Sequence, residues 1–383
     1  MDIVLYESSS RGGNFDYSQQ LFMAYSNHKE LRSVEWIIPS SSELSGKGIR
    51  KILRNDRGYA SGKLVSRLSF LYRSLINPLK LFGYLFGKKS TRFVILNDFE
   101  QTTAFFWVPL YRLFLSRHYF AVMLHDPDRD AYPPSRRFSE MSMKKMMSIM
   151  SFGLFHERLP DKPYYRPNGK TQYLSVPHGQ YDQQQVNAEM MVTLQSRRNG
   201  CKLVSIPGNI RMEKNYEIAI QATAKIPGIR LIIAGLPSSS AIDVDDLRRM
   251  AADLNIIDRV IFVIKYLSVA EMCAVIKSSD VILLNYKRTF ASQSGIFNLI
   301  APFKKTIIIS QTESGLATTA AKYNIGHFVD PDDPDDLVRV LTAVLDQHFD
   351  DGAQWNEYLR YASWENHVNI VLDALKNKYA DVV

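Results

Sequence analysis

Cysteine is scarce in this sequence: 383 residues contain two, Cys201 and Cys273, in apolar surroundings and without the spacing of a zinc site. This scarcity argues against a disulfide scaffold and predicts reduced thiols in the core of a cytoplasmic protein. A run of eighteen apolar residues is also missing, so no membrane-spanning helix is expected. The N-terminal residues MDIVLYESSSRGG lack the basic region and long apolar core of a secretory signal peptide.

Motifs for the common cofactors are absent as well. There is no GxGxxG, which argues against a dinucleotide cofactor, and no GxxxxGK followed by Ser or Thr, which argues against an ATP-hydrolysing phosphate loop. The acidic run from Asp330 to Asp336 has neither histidines nor the ligand spacing of a calcium loop, and it fits a helix N-terminus instead. The sequence therefore predicts no bound cofactor and no metal.

Short apolar runs alternate with helical patterns along the chain, which is typical of an α/β protein with parallel sheets. Predicted strands lie at 2–6, 34–38, 93–96, 119–124, 151–155 and 172–176, and then at 202–206, 229–234, 260–264, 281–284, 306–309 and 326–329. The two series predict two doubly wound, Rossmann-like domains, over 1–182 and 201–362, with a linker at 183–200. Such sheets bind ligands at the carboxyl ends of their strands, which we expect to face a cleft shared by the domains.

Positive charge is concentrated between Lys47 and Arg92, where twelve Lys and Arg accompany a single acid, Asp56. Leucines at 64, 68, 71 and 75 recur there at helical spacing. A basic amphipathic helix suits an anionic membrane surface, and the residues expected to contact lipid headgroups are Arg67, Arg73, Lys80, Lys88 and Lys89. Alternatively, the apolar stripe packs on the domain's own sheet and the bases are only solvated. Nucleic acid is not an expected partner, because no binding motif accompanies the charge.

Three predicted strands of the first half are followed by residues suited to a ligand site. Gly12 and Gly13 allow the backbone to approach a ligand closely, and they precede a helix, expected to begin near Tyr17, whose N-terminus would face that ligand. A plain tight turn explains the two glycines equally well. The other two strands are followed by polar and ionisable residues, namely Asn97, Asp98 and Glu100, and His125 and Asp126. Because open α/β sheets place their sites at these strand ends, we expect these side chains to line one site.

The second half offers a site for an anion. Arg211 and Lys214 follow the turn at Pro207-Gly208, where paired cations would neutralise a diphosphate, although a solvated pair is the simpler alternative. Tyr266 follows another strand and is expected to line a nucleotide base. The segment from Val281 to Ile309 reads as strand, loop, helix and strand, and a helix N-terminus at a strand end suits a phosphate. Its candidate contacts are Ser292, Ser294, Gly295 and Asn298.

Taken in order, these motifs resemble the GT-B glycosyltransferases, and among them most closely glycosyltransferase family 4. The resemblance rests on Gly12-Gly13, on HD at 125–126, on PHG at 177–179, on GNIRMEK at 208–214, on the segment 281–309, on GHFVDPDDPDDL at 326–337 and on SWENH at 363–367. It implies a metal-independent hexosyltransferase whose second domain binds a nucleotide-diphosphate sugar and whose first domain binds the acceptor. It also implies that residues 363–383 form a helix that crosses back to the first domain.

The resemblance implies a role for each candidate residue. Arg211 and Lys214 would bind the diphosphate, with Gly12 and Gly13 approaching it, and residues 292–298 would hold phosphate and sugar hydroxyls. His125 would lie beside the transferred sugar, while the acceptor would be bound by Asn97 and Asp98. The expected acceptor is a glycan or a polyprenyl-linked sugar at the cytoplasmic face of the membrane, as in polysaccharide or glycolipid assembly.

The sequence departs from family 4 at one motif, where members usually carry two glutamates eight positions apart and this chain has Phe290 and Asn298. Retention of the anomeric configuration is what the family implies. An inverting reaction stays open, with Asp126, Glu100 or Asp98 as the general base. Two other functions also stay open: a soluble GT-B nucleotide-sugar epimerase or phosphorylase, and a non-catalytic sugar-nucleotide-binding protein.

Overall fold

The computed structural model describes residues 1–10, 12–55, 63–127, 135–166, 169–181, 185–239, 242–347 and 352–379. Within the third range, it describes residues 63–66 by their backbone alone. The chain forms two compact units: unit 1 combines residues 1–179 with residues 363–383, and unit 2 consists of residues 180–362. Residues 182–184, where the first predicted boundary falls, lie outside the described residues, as does Asp56 of the basic segment. The Leu64 side chain of the predicted stripe is also outside them.

Unit 1 is built on a seven-stranded sheet with the order β3-β2-β1-β4-β5-β6-β7. Its strands, all parallel, are β1 (Asp2–Tyr6), β2 (Ser33–Pro39), β3 (Ile49–Leu53), β4 (Phe93–Leu96), β5 (Tyr119–Leu124), β6 (Phe152–Phe155) and β7 (Gln172–Ser175). The strand order reverses at β1, which pairs with β2 on one side and with β4 on the other. Doubly wound sheets bind ligands at such a reversal, at the carboxyl ends of the strands.

Helices cover both faces of this sheet: α1 (Gly13–Ser26), α2 (Lys63–Phe86), α3 (Ala104–Phe114) and α4 (Arg136–Met147). Successive residues of a strand point to opposite faces. Val4 and Tyr6 of β1 accordingly lie in one core with α2, α3 and α4, whereas Ile3 and Leu5 lie in another with α1. Burial on both faces is why the strands appear in the sequence as continuous apolar runs.

All predicted strands are present, with ends within one residue of those expected. β3 was not predicted, because its sequence IRKIL carries the exposed Arg50 and Lys51 and only Leu53 is buried. Helix α1 begins at Gly13, earlier than the expected start near Tyr17. Gly12 precedes it with φ 92°, a backbone conformation that favours glycine and turns the chain directly into the helix.

Helix α2 is continuous although Pro78 lies inside it. Proline has no amide hydrogen, so the carbonyl of Ser74, four residues earlier, lacks its helical donor. Thr103 supplies the missing bond, because its hydroxyl donates to the Ser74 carbonyl oxygen at 2.5 Å. Tyr111 of α3 donates to the Pro78 carbonyl oxygen at 2.7 Å, which fastens the two helices together. Among the described residues, no helix has both the length and the apolar character needed to cross a bilayer.

Unit 2 is built on a six-stranded parallel sheet with the order β10-β9-β8-β11-β12-β13. Its strands are β8 (Lys202–Pro207), β9 (Ile229–Ala234), β10 (Val260–Val263), β11 (Val281–Leu284), β12 (Thr306–Ser310) and β13 (His327–Val329). Its helices are α5 (Ala188–Ser196), α6 (Tyr216–Lys225), α7 (Val244–Asp253), α8 (Val269–Ser278), α9 (Gly295–Ile300), α10 (Gly315–Lys322), α11 (Pro334–Asp346) and α12 (Gly352–Tyr361).

The linker predicted at 183–200 differs from the structure, since α5 lies within it and belongs to unit 2. Leu194 of α5 is buried against residues of β8 and β9, and Met190 packs against the same cluster. Both cysteines are free. Cys273 lies in the core, where burial raises the pKa of its thiol to about 11. Cys201 is only half-buried, so the expectation of a core thiol was wrong for it.

Helix α13 (Trp364–Lys378) belongs to unit 1 and buries Val368, Val371 and Leu372 in the core that contains α1. The turn at Pro177-His178-Gly179 closes around the start of this helix. A Cβ atom on Gly179 would lie 2.1 Å from the Trp364 ring, so this position has room for glycine alone.

Candidate active site

Three neighbouring strands of unit 1, β1, β4 and β5, are followed by Glu7, Asn97 and His125. Asn97 lies between the other two side chains. Its Nδ2 donates to Glu7 Oε2 at 2.5 Å, and its Oδ1 lies 3.1 Å from His125 Nε2. Nδ2 also donates to the Asn14 carbonyl oxygen at 3.1 Å. The structure thus brings Asn97 and His125 together, and it adds Glu7, which the sequence analysis did not single out.

Carboxyl groups of Glu7, Asp98 and Glu100 gather at the same edge of the sheet. Glu7 and Glu100 are buried, and Glu100 accepts the hydroxyl hydrogen of Tyr6, whose oxygen lies 2.7 and 2.8 Å from the two carboxylate oxygens. Burial, with repulsion from Asp98, raises the pKa of Glu100 to about 8, and the same causes raise the pKa of Glu7. Asp98 is half-buried and accepts a hydrogen bond from the Ser8 hydroxyl. At neutral pH, Glu100 therefore holds a proton and is a poor proton acceptor.

Four histidines surround the Tyr17 ring of α1. The ring centroids of His125, His156, His178 and His367 lie 4.7, 5.6, 5.0 and 6.2 Å from that of Tyr17. Burial lowers the pKa of His125 to about 3, the pKa values of His178 and His367 to about 4, and the pKa of His156 well below its ordinary value. All four rings are consequently neutral at physiological pH.

The remaining candidates of unit 1 are more open. Asp126 is half-buried directly after His125. Gly12 and Gly13 are exposed, and a Cβ atom on either would meet nothing within 4 Å. No side chain forms a capping hydrogen bond at the start of α1, so the first amide groups of this helix are not occupied by a side-chain cap. This arrangement is compatible with a ligand near the loop.

The two predicted cations of unit 2 differ in their surroundings. Lys214 is 5% exposed, and its Nζ donates to the carbonyl oxygens of Pro207 and Gly208 at 2.7 and 3.3 Å. Burial, with repulsion from Arg211, lowers the pKa of Lys214 to about 7. Arg211 is exposed. The end of β8 therefore carries one open guanidinium and one buried amine that is half-charged near neutral pH.

The segment between β11 and β12 departs from its predicted role. Asn298 is fully buried, where its Oδ1 accepts a hydrogen bond from the Tyr358 hydroxyl and its Nδ2 donates to the Ser294 carbonyl oxygen at 3.4 Å. Ser294 is buried too, and its hydroxyl lies 3.2 Å from that of Tyr286 instead of capping α9. Phe290 stacks on Tyr286 with ring centroids 3.8 Å apart. Direct contact of Asn298 or Ser294 with a sugar stays a prediction that this geometry does not favour.

The other predicted donor contacts lie at the surface of unit 2. Tyr266 is 70% exposed, which leaves its ring free to stack on a planar group. Gly295 is exposed at the start of α9, and Ser292 is half-buried before it. These three positions remain accessible, unlike Ser294 and Asn298.

Three of the five cations predicted to contact lipid are bonded inside unit 1. Arg73 donates to the carbonyl and hydroxyl oxygens of Ser8, at 3.4 and 3.1 Å, and Lys80 donates to the Ile52 carbonyl oxygen at 2.7 Å. Lys88 lies 3.3 Å from a carboxylate oxygen of Glu35. For these residues lipid contact stays a prediction that this bonding does not favour, because each already has a partner in unit 1. Arg67 and Lys89 are exposed.

Comparison with known proteins finds a family model that is similar to unit 2. A family model described as glycosyl transferases group 1 matches residues 195–361. The matched range covers most of unit 2. The D-inositol 3-phosphate glycosyltransferase of Mycolicibacterium smegmatis is 29% identical over 183 residues, which are 47% of this chain and 41% of that protein. The chain therefore spans less than half the length of this relative.

Solved structures extend the comparison to both units. Anabaena Alr3699/HepE in complex with UDP matches with a TM-score of 0.68 and 13% identity, over 99% of this chain and 100% of that one. Sucrose-phosphate synthase from Thermosynechococcus elongatus matches with a TM-score of 0.69 and 16% identity, over 99% of each chain. At these identities the likeness shows the fold alone, which is GT-B. The predicted GT-B architecture of two doubly wound α/β domains is thus confirmed.

Proposed function

We propose that this protein is a glycosyltransferase that moves a sugar from a nucleotide-diphosphate sugar to a hydroxyl group of an acceptor. The observation that carries the proposal is the position of Arg211 and Lys214, which follow the carboxyl end of β8 inside the range matched by the glycosyl transferases group 1 model. The relatives support it, because the mycobacterial protein is a glycosyltransferase and the Anabaena structure contains UDP.

The chemistry assigned to unit 2 is stabilisation of the leaving group. Cleavage of the sugar–phosphate bond leaves an additional negative charge on the diphosphate. Arg211 and the charged form of Lys214 offer hydrogen-bond donors at this end of the sheet, and Lys214 is already held there by the Pro207 and Gly208 carbonyl oxygens. Donors that are in place before the reaction stabilise charge as it develops. We propose that these cations take the part of a metal ion, so that the reaction is metal-independent.

For the stereochemical outcome we propose retention. An inverting reaction needs a carboxylate that accepts the proton of the acceptor hydroxyl. Glu100 is buried, hydrogen-bonded to Tyr6 and protonated at neutral pH, so it is unsuited to this part. Asp126 and Asp98 are the remaining candidates for an inverting base. The anomeric configuration of the product, read from the proton coupling constant at the transferred sugar's C1, tests the proposal, and an inverted product contradicts it.

We further propose that unit 1 docks on an anionic membrane, where a polyprenyl-linked or glycan acceptor is presented. Helices α2 and α3 expose large apolar side chains, which form what we term the apolar surface: Leu68, Leu71, Tyr72, Phe86, Phe106, Leu113 and Phe114. Phe106 and Leu113, two turns apart on the same side of α3, are 68% and 70% exposed. The rings of Phe86 and Phe114 have centroids 6.2 Å apart, so the two helices join into one surface.

Cations accompany the apolar surface. Arg67 and Lys89 are exposed on or next to α2, and Arg117 donates to the Phe86 carbonyl oxygen at 3.1 Å. A combination of exposed apolar side chains and cations suits anionic headgroups over an apolar interior. Each cation near such a surface contributes about 1 kcal/mol, so Arg67→Ala with Lys89→Ala should lower partitioning into anionic vesicles about thirtyfold.

Vesicle flotation tests this docking. Wild type should float with vesicles that contain anionic lipid, and Phe106→Ser with Leu113→Ser should abolish flotation. Val192→Ser is the matched control, because Val192 is 65% exposed on α5 of unit 2. Equal flotation of all variants would contradict membrane docking and would favour a soluble epimerase or phosphorylase.

A thermal-shift screen tests the proposed donor class. A ligand that binds only the folded state raises Tm, and UDP and UDP-sugars are the first to screen because the Anabaena neighbour binds UDP. Stabilisation by nucleoside diphosphates that is lost in Arg211→Ala supports the proposal, whereas no stabilisation by any of them contradicts it. Binding without turnover would instead favour a non-catalytic sugar-nucleotide-binding protein, an alternative that Phe290 and Asn298 keep open.

A further inference from the structure

The orientation of the Asn97 amide is fixed by its surroundings. Asn97 is 1% exposed, and its Nδ2 faces two oxygens, Glu7 Oε2 and the Asn14 carbonyl oxygen. Turning the amide over would place Oδ1 against the Asn14 carbonyl oxygen, which has no hydrogen to donate, whatever the protonation of Glu7. The Oδ1 atom of Asn97 must therefore face His125.

This orientation determines the tautomer of His125. An amide oxygen can only accept, so the His125 Nε2 atom, 3.1 Å away, must carry the hydrogen. Burial keeps the ring neutral by lowering its pKa to about 3, and a neutral imidazole has a single N–H group. The other ring nitrogen, Nδ1, is then an acceptor. Asn97 is the one hydrogen-bond partner of this ring among the described residues, and the ring is half-buried.

We propose that Asn97, anchored by Glu7 and by the Asn14 carbonyl, is a positioning residue that holds His125 as its Nε2–H tautomer, so that Nδ1 accepts a hydrogen bond from a substrate hydroxyl. The proposal rests on the proposed function in one respect, that the substrate is a sugar or another polyol. It replaces the predicted role of Asn97 in binding the acceptor directly. It also gives His125 a recognition role, because a neutral ring with its only hydrogen bonded to Asn97 has no proton for a leaving group.

Nitrogen NMR of the protein labelled with ¹⁵N-histidine tests the tautomer without any substrate. Unit 1 contains two reference rings. His118 Nδ1 accepts from the Arg92 amide at 3.1 Å, so its hydrogen is on Nε2, whereas His156 Nδ1 lies 3.0 Å from the Val176 carbonyl oxygen, so its hydrogen is on Nδ1. The His125 signals are assigned by their loss in His125→Gln. We expect the His125 pattern to match that of His118, and a match to His156 would overturn the proposal.

The variant Asn97→Leu tests the role of the amide, since leucine is similar in size but accepts no hydrogen bond. The His125 N–H hydrogen should then exchange rapidly with water and its signal should disappear, while the His118 and His156 signals stay and show that the fold is intact. An unchanged His125 N–H signal would overturn the proposal. If both reference signals change as well, Asn97→Ala, which removes the acceptor without adding bulk, is measured by the same criterion.

Kinetics separate positioning from a general structural role. Asn97→Leu should lower kcat/KM about tenfold in the wild-type background, the upper range for one hydrogen bond. In a His125→Gln background the same change should cost less than about twofold, because the ring that Asn97 positions is already gone. Equal losses in both backgrounds would overturn the proposal. If no nucleotide sugar is turned over, the proposed function fails, and the NMR result still decides the tautomer.

Discussion

Binding of a nucleoside diphosphate should weaken as pH rises above 7, because the affinity depends on a lysine that is losing its charge. Burial lowers the pKa of Lys214 to about 7, and its Nζ donates to the carbonyl oxygens of Pro207 and Gly208. A neutral amine has two hydrogens, which are enough for these two bonds. The third hydrogen exists only in the charged form and is the one left for a phosphate oxygen.

The magnitude follows from this protonation. A bound diphosphate favours the charged amine and raises the pKa of Lys214 in the complex. At a pH above the pKa of Lys214 in the free protein, binding of the diphosphate must take up a proton. This uptake costs up to about 1.4 kcal/mol of binding free energy for each pH unit, which is a factor of about ten in Kd. Between pH 7 and pH 9 we expect the Kd for UDP, or for the diphosphate that the screen selects, to rise as much as a hundredfold.

Isothermal titration calorimetry at half-unit pH steps measures this dependence. Lys214→Arg is the control, because a guanidinium stays charged across the whole range. The variant should bind with an affinity that changes much less with pH. A wild-type Kd that stays constant between pH 7 and pH 9, or an equal slope in Lys214→Arg, would refute the assignment of Lys214 to the diphosphate.

The remaining predictions concern the stability of unit 1, measured by urea unfolding. Gly179→Ala should lower the free energy of unfolding by about 2 kcal/mol or more, because its Cβ overlaps the Trp364 ring, and a change below about 0.5 kcal/mol would contradict this. Thr103→Val should cost about 1–2 kcal/mol, since the Ser74 carbonyl beside Pro78 loses its donor, and a neutral result would contradict that account. The four histidines around Tyr17 have pKa values lowered by burial, to about 3 or 4 for His125, His178 and His367 and well below the ordinary value for His156. The unfolded chain therefore binds protons below about pH 6.5 that the folded state does not bind until the pH is much lower. The free energy of unfolding should therefore fall as the pH drops from 6.5 to about 4.5. The raised pKa values of Glu7 and Glu100 act in the opposite direction, which leaves a net slope of roughly 2–3 kcal/mol per pH unit in the free energy of unfolding. A free energy of unfolding that does not change over this pH range would contradict the prediction.

The fold was predictable because its strands are buried on both faces and so appear as uninterrupted apolar runs. β3 was missed since it lies at the sheet edge, where Arg50 and Lys51 are exposed and remove the signal. Helix α5 was missed because it is short and Leu194 alone in it is fully buried. The local sequence pattern thus located the strands that are buried on both faces. It did not locate the elements in which one face or one residue provides the packing.

The sequence predicted which residues of the site follow the ends of strands, but it did not predict their bonding partners. The rule that pointed to Asn97 and His125 applies equally to Glu7, which follows β1 directly, so the sequence did contain that signal. The partner of Asn298 was not predictable, because Tyr358 lies 60 residues further along the chain. The bonding of Lys88 to Glu35, 53 residues away, was hidden for the same reason. Spacing in the sequence indicates which residues reach a strand end, whereas their bonding partners depend on tertiary contacts.

Sugar transfer itself is the most direct test of the central claim. Purified protein is incubated with each common nucleotide sugar and with polyprenyl-linked, glycan and sugar-phosphate acceptors, and release of the nucleoside diphosphate is measured together with the glycosylated product. We predict release that requires both donor and acceptor and that falls by at least about a hundredfold when Arg211→Ala and Lys214→Met are combined, since two charged contacts to the leaving diphosphate are lost. Product formation that persists unchanged in this double variant, or no transfer with any donor and acceptor by a folded protein that binds nucleotide, would contradict the account.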